Sequence, residues 1–202
     1  MTVAELLERL KNACAEVIAA EAELTDIDSH FGDADHGLTM HKICAAIDAA
    51  ATENADGSIQ AVLEAAADAV MCLNGGSAVP LWNTWLDGMA EAAPDEAEVD
   101  VAGLKEIFAH ALEELDDMSG AKVGDKTMMD ALIPASDAIA AYGGDDEAGL
   151  FAAAAKAAEL GAENSRNFPS KFGRAKSYGA KTIGTPDAGA VSMAKFFVGL
   201  AK

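Results

Sequence analysis

Basic residues are scarce: 14 Lys and Arg stand against 34 Asp and Glu in 202 residues, a formal net charge of −20. Such a surface repels polyanions almost everywhere, which excludes non-specific binding to nucleic acid or anionic membrane. Any phosphate ligand has to be held locally. Cysteine is equally sparse. Cys14, Cys44 and Cys72 stand singly inside helical patterns with no CxxC pair, so a disulfide framework is excluded and small buried thiols are expected. No apolar run approaches the ~18 residues of a membrane span. The start, MTVAELLERL, is acidic and amphipathic rather than basic and then apolar, so the expectation is a cytoplasmic protein without a signal or transit peptide. Walker GxxxxGK[ST], post-strand GxGxxG and HExxH patterns are all missing. No serine sits in a nucleophile elbow.

What is present is alanine and a helical period. Apolar residues make up 51% of the chain and aromatics 5%, enough for a core yet poor in strand formers. Val3, Leu6, Leu7, Leu10, Cys14, Val17 and Ile18 follow i, i+3, i+4, i+7 spacing, and Thr2 with Glu5 forms a capping-box pattern ahead of them. The same criteria predict further helices near 36–53, 58–74, 77–93, 101–117, 126–143, 146–166 and 186–201, each bounded by Gly, Pro, Asp or Ser. These eight helices with short connections predict one all-α domain over 1–202, an up-and-down bundle or closed ring. Two connections, 24–35 and 167–185, are long for such a bundle, and long loops tend to be functional or disordered. The segment 92–100 reads as a solvated acidic connection.

Four segments have the chemistry of a site. Asp26, Asp28, Asp33, Asp35 and His36, with Gly32 and Gly37, crowd one turn before a helix. Hard divalent cations take such oxygen ligands; the alternative is that Asp35 caps the helix and the others are solvated. An EF-hand is a poor match, because the twelfth position from Asp33 is Cys44 rather than Glu. Arg166, Lys171, Arg174, Lys176 and Lys181 fall in one acid-free stretch, either an anion site or a strip that complements acidic helices. Immediately afterwards, Thr185 as cap with Pro186 at the first helical position predicts a helix start whose N–H groups could meet a polar ligand. Asn74-Gly75-Gly76-Ser77 could let backbone approach a phosphate, or could simply end a helix. In Val123-Gly124-Asp125-Lys126-Thr127, Asp125 is placed as a helix cap. His30, His41 and His110 lack paired spacing and read as surface or satisfied core residues.

In this order the segments resemble the nucleotide-binding domain of dihydroxyacetone kinases, the L subunit where the enzyme is split. The resemblance is carried by Leu24-Thr-Asp-Ile-Asp28, Phe31-Gly-Asp33-Ala-Asp35-His36-Gly37, Gly75-Gly76-Ser77, Val123 to Leu132 with Pro134, Gly173-Arg174-Ala175, Ile183-Gly184 and Asp187-Ala-Gly189-Ala190. It implies an eight-helix antiparallel barrel with nucleotide bound by loops at one end. It further implies that Asp28, Asp33 and Asp35 hold two Mg²⁺ ions that bridge the phosphates of ADP or ATP. By the same resemblance His36, Gly37, Leu38, Thr39, Gly76, Ser77 and Ala78 would line the phosphate side, Gly120 and Met128 the adenine, with Arg174 on the phosphates and Asp187, Ala188 and Gly189 completing the site.

A K-type subunit carrying the ketose would be the partner, with free ATP or a phosphotransferase-system protein as donor. Erythrulose or another small ketose as substrate, and a non-catalytic nucleotide sensor, are the alternative readings. The chain departs from the family at Ser77-Ala78-Val79, where Thr-Ser-Gly is usual, at Asn83, where Gly is common, and at Ala188, where Pro is common.

Overall fold

The computed structural model describes residues 1–202. It contains nine α-helices: α1 (Val3–Ala19), α2 (Glu21–Ser29), α3 (His36–Glu53), α4 (Ile59–Met71), α5 (Ala78–Ala92), α6 (Val101–Ser119), α7 (Met129–Ala141), α8 (Glu147–Asn164) and α9 (Ala188–Leu200). Two 3₁₀ segments, Ser165–Asn167 and Arg174–Thr182, fill much of the α8–α9 connection. No strand forms; a single bridge joins Thr2 to Glu98. Thr2 and Glu5 make the expected capping box, with Thr2 Oγ1 accepting from Glu5 N at 3.3 Å and Glu5 Oε2 accepting from Thr2 N at 2.7 Å.

The helices close a ring. α1 packs on α3, each of α3 to α8 packs on the next, and α9 returns to α1. These are the eight expected helices. The additional one, α2, continues α1 after a break at Ala20 and lies on α3. Leu24 to Ser29, expected as loop, is therefore helical, and only residues 30–35 connect α2 to α3. Two helix starts also differ from expectation. α7 begins at Met129 because Asp125, expected as its cap, accepts instead from Lys122 N and Lys171 Nζ. α9 begins at Ala188, two residues after Pro186, because Asp187 rather than Thr185 caps it through Ala190 N at 2.9 Å.

Inside the ring an edge-on aromatic cluster fills the core. Trp82 meets Trp85 and Phe196 at centroid distances of 5.6 and 5.1 Å, and Phe108 meets Phe151 at 6.0 Å. Pro134 lies inside α7, and its missing N–H leaves the Asp130 carbonyl without its helical partner. Gly161 of α8 packs there: a Cβ on it would lie 2.0 Å from that oxygen. Cys14 and Cys44 are buried as expected, whereas Cys72 at the end of α4 is exposed. No helix is long and apolar enough to cross a membrane.

Candidate functional site

Alternation of helix direction around the ring decides where the loops go. The N-termini of α3, α5, α7 and α9 share one end with the C-termini of α2, α6 and α8, and there they surround a cavity of about 580 Å³. Trp82 lines it from the aromatic core and Arg174 from the 3₁₀ segment.

On one side stands the acidic turn. Asp28, Asp33 and Asp35 each present a carboxylate oxygen, all within 4.8 Å of one another. Asp28 Oδ2 accepts from Asp35 N at 3.1 Å and His36 N at 3.4 Å, which ties the end of α2 to the start of α3. Gly32 makes room, since a Cβ there would lie 1.9 Å from Asp28 Oδ1. Ala34 adopts φ 60°, a costly region for alanine, between the other two aspartates. Desolvation first, then the Asp33 and Asp28 charges, raise the Asp35 carboxyl above its usual range. One cation balances the group: Arg174 Nη1 lies 2.5 Å from Asp33 Oδ2. Three converging hard oxygen donors with a residual negative charge fit a divalent cation such as Mg²⁺.

Opposite charge is supplied by helix ends. α1, α4, α6 and α8, which start at the far end of the ring, are each capped by a side chain of Thr2, Ser58, Asp100 or Asp146. At the cavity end α3, α5 and α7 have no side-chain cap. Asp35 and Ser77 occupy the cap positions of α3 and α5 and are suitable types, yet neither turns back onto its own helix. At the start of α3 the His36 N–H goes to Asp28 instead, and at α7 Met129 N donates to Thr127 Oγ1 at 3.2 Å, so the start of α5 is the one left without a side-chain acceptor. A cap is worth about 1 kcal/mol, and free N–H groups at a helix start bind anions. His36, at the first turn of α3, has its Nε2 3.1 Å from Ser192 Oγ of α9. Burial holds its imidazole below the usual value.

The third wall is an ionic knot. Lys126 is 4% exposed and adopts φ 62°. Its Nζ donates to Ser165 O at 2.8 Å and to Thr185 O. Asp130, fully buried, accepts from Gly124 N at 2.6 Å and Thr127 N at 2.7 Å. Desolvation pushes the Asp187 carboxyl up to about 7, with the Asp130 charge adding to it and the Ala190 N–H and Lys126 opposing it.

A folded-state value above that of the unfolded chain means that the folded protein takes up the proton more readily. The stability this contributes is complete below about pH 4 and is lost as pH rises toward 7. Asp187→Asn, which keeps a capping oxygen, is expected to be more stable than wild type at pH 8 by on the order of 1–2 kcal/mol, with the difference vanishing near pH 4. Thermal melts of both proteins across that range check it.

Most residues singled out by resemblance converge here. Asp28, Asp33, Asp35, His36, Thr39, Gly76, Ser77, Ala78, Met128, Arg174, Asp187, Ala188 and Gly189 all line the cavity. Gly37, Leu38 and Gly120 do not. Gly37 faces α2, Leu38 is 49% exposed outside the cavity, and Gly120 ends α6 with φ 62° while its neighbours Ser119 and Ala121 form the wall. The basic stretch divides between its two readings. Arg166 pairs with Glu163 and Lys171 with Asp125, whereas Arg174 reaches the cavity. Asn83 donates to Ala67 O of α4 at 3.0 Å. Lys126 and Phe172 line the wall without having been assigned a role from sequence.

The Arg174 side chain is 70% exposed, so its pair with Asp33 adds little to stability. Arg174→Ala is expected to leave the melting temperature within about 2 °C of wild type; the resemblance, which sets Arg174 on the phosphates, predicts that ADP binding measured by calorimetry weakens by about tenfold or more.

Residues 30–202 match the DAK2 domain. The chain is 36% identical over 196 residues to the D-erythrulose kinase of Mycolicibacterium smegmatis, covering 95% of this chain and 34% of that protein. It is 34% identical over 191 residues to the L-erythrulose kinase of Pectobacterium atrosepticum, covering 91% of this chain and 32% of that one. The chain thus spans about a third of the length of these relatives. With DhaL, the ADP-binding subunit of the PEP-dependent dihydroxyacetone kinase of Escherichia coli, it shares 28% identity over 183 residues, 89% of this chain and 87% of the subunit. The native crystal structure of the dihydroxyacetone kinase of C. freundii superimposes with a TM-score of 0.75 at 23% identity, over 98% of this chain and 34% of that one.

Proposed function

Since the chain belongs to the DAK2 domain family, whose match covers residues 30–202, we propose that it is the nucleotide-binding part of a ketose kinase. In this reading it binds ADP or ATP with Mg²⁺ and delivers a phosphoryl group to dihydroxyacetone held on a separate K-type domain or subunit. The observation that carries the reading is that three carboxylates with oxygens within 4.8 Å of one another and the uncapped start of α5 line the same cavity. A nucleotide polyphosphate bridges these two halves, because its oxygens suit both a carboxylate-held cation and free N–H groups.

Asp28, Asp33 and Asp35 would hold Mg²⁺, two ions by family resemblance, and bound Mg²⁺ would neutralise charge on the phosphate oxygens. The remaining roles belong to the chain. The N–H groups that open α5, with the unengaged Ser77 hydroxyl, orient the phosphates. Arg174, released from Asp33, places its planar fork on phosphate oxygens. Met128 and Gly189 give the base an apolar wall, and Trp82 closes the floor against water. The aspartates act as ligands rather than as general bases, which leaves deprotonation of the ketose hydroxyl to the partner. A phosphotransferase-system protein could recharge bound ADP in place of exchange with free ATP.

Erythrulose is the second substrate reading, favoured by the 36% and 34% identity to erythrulose kinases. The test supplies a ketose-carrying K subunit in trans, with ATP and Mg²⁺, and measures phosphorylated ketose from dihydroxyacetone and erythrulose in parallel. Product from either sugar that depends on this chain supports the kinase reading and identifies the substrate. Tight nucleotide binding without transfer to any ketose would favour the sensor alternative.

A further inference from the structure

Lys126 is costly where it stands. A left-handed backbone is unfavourable for any residue with a Cβ, and an ammonium removed from water loses several kcal/mol of hydration. Features of this kind persist where their surroundings over-determine them, commonly at functional sites. A glycine would close the same turn without either cost.

The surroundings show what the ammonium holds. Its two acceptors are Ser165 O, where α8 ends, and Thr185 O, which leads into α9. The end of α8 has partial negative charge that suits a cation. Ser165 also receives Asp187 N on its Oγ at 2.8 Å, so the end of α8 and the start of α9 are joined twice. Lys126 itself lies two residues before Met128, and Met128 N lies 3.3 Å from where a Cβ on Gly189 would be. One side chain therefore fixes three connections, 123–128, 165–167 and 185–189, and the first and third of these supply residues that line the cavity. Charged groups face Asp187 from each neighbouring element: Lys126 from its loop, Asp130 from α7 and, through the Ala188 backbone, His36 from α3; Arg166 faces Lys126 from the end of α8.

We propose that Lys126 is a positioning residue of the nucleotide site, its buried ammonium tying the ends of three loops so that Met128, Asp187 and Gly189 stand where the base side of the nucleotide binds. The inference rests on the nucleotide reading of this cavity. It assigns Lys126 no contact with the reacting phosphate, so the affected quantity is affinity rather than turnover of bound nucleotide. The ammonium also opposes protonation of Asp187, so its removal raises the pH at which that carboxyl ionises.

The test compares wild type, Lys126→Met and Lys126→Gln by calorimetric titration of Mg·ADP between pH 6 and 9, with thermal melts alongside and kcat from the ketose assay. Lys126→Met is expected to bind Mg·ADP about tenfold or more weakly, to retain kcat at saturating nucleotide within about threefold, and to move the midpoint of the pH dependence of binding upward. Lys126→Gln keeps hydrogen-bond donors without charge and is expected to show the same pH displacement with a smaller loss of affinity. It also carries the comparison if the Met variant does not fold.

A lower melting temperature with wild-type affinity and an unmoved pH midpoint would reduce Lys126 to a structural residue and overturn the inference alone. Wild-type protein that binds no Mg·ADP would overturn the nucleotide reading, and this inference with it.

Discussion

Asp33→Ala is expected to weaken Mg²⁺-dependent ADP binding by on the order of 100-fold or more, with the far-ultraviolet circular dichroism of the folded protein unchanged. The size of the effect follows from what Asp33 does twice over. It is one of three carboxylates whose oxygens lie within 4.8 Å, and it is the group that Arg174 contacts at 2.5 Å. Two carboxylates hold a hard cation far less well than three, because fewer charged oxygens replace its water. The fold has little reason to change. Asp33 is exposed in a connection between helices, and the bonds that join α2 to α3 there run through Asp28. Retained Mg²⁺-dependent binding in Asp33→Ala would remove the carboxylate cluster from the account.

Gly37→Ala should damage both stability and binding, although Gly37 is not in the cavity wall. A Cβ at this position would lie 2.1 Å from Glu21 O and 2.2 Å from Thr25 Oγ1, and the first of these is backbone that no rotamer change can move aside. α2 and α3 would have to separate. Asp28 sits at the end of one and Asp35 at the start of the other, so separation opens the carboxylate cluster. The expected destabilisation is about 1–3 kcal/mol, and displacement of a ligand by about 1 Å is enough to weaken binding by tenfold to a hundredfold. Urea unfolding and ADP titration of the same preparation would measure the two effects. An unaltered affinity in a destabilised variant would mean that the α2–α3 contact does not set the cluster geometry.

The sequence announces the ring of helices clearly, because the local signals agree with the packing. Thr2 and Glu5 form the capping box that their spacing predicts, and the apolar spacing of each long segment matches a buried face. Where the reading failed, a distant partner had overridden a local preference. Leu24 to Ser29 looks like loop because Asp26 and Asp28 are poor helix formers. It is helical because Leu24 is fully buried and α3 packs against it through Gly37. Asp125 has the right type to cap α7, yet Lys171, 46 residues further on, engages it at 2.5 Å.

The site was legible to the extent that its residues carry family-like motifs, and the structure brings most of those motifs to one cavity. Three of them stand apart. Gly37 serves helix packing, Gly120 a helix end, and Leu38 is half exposed and not part of the cavity wall, distinctions that a linear motif cannot express. Lys126 is the converse case. It lies inside a recognised motif, but its importance comes from Ser165, Thr185 and Asp187, which are 39 to 61 residues away in sequence. The uncapped start of α5 is also invisible in sequence, since Ser77 is an ordinary capping type and only geometry shows that it does not cap.

Calorimetric titration of ADP into nucleotide-free protein, with and without Mg²⁺, tests the central claim most directly. The account predicts tight binding with Mg²⁺ and weak or undetectable binding without it, since the carboxylates repel a bare polyphosphate. Equal affinity in both conditions, or no binding in either, would contradict it.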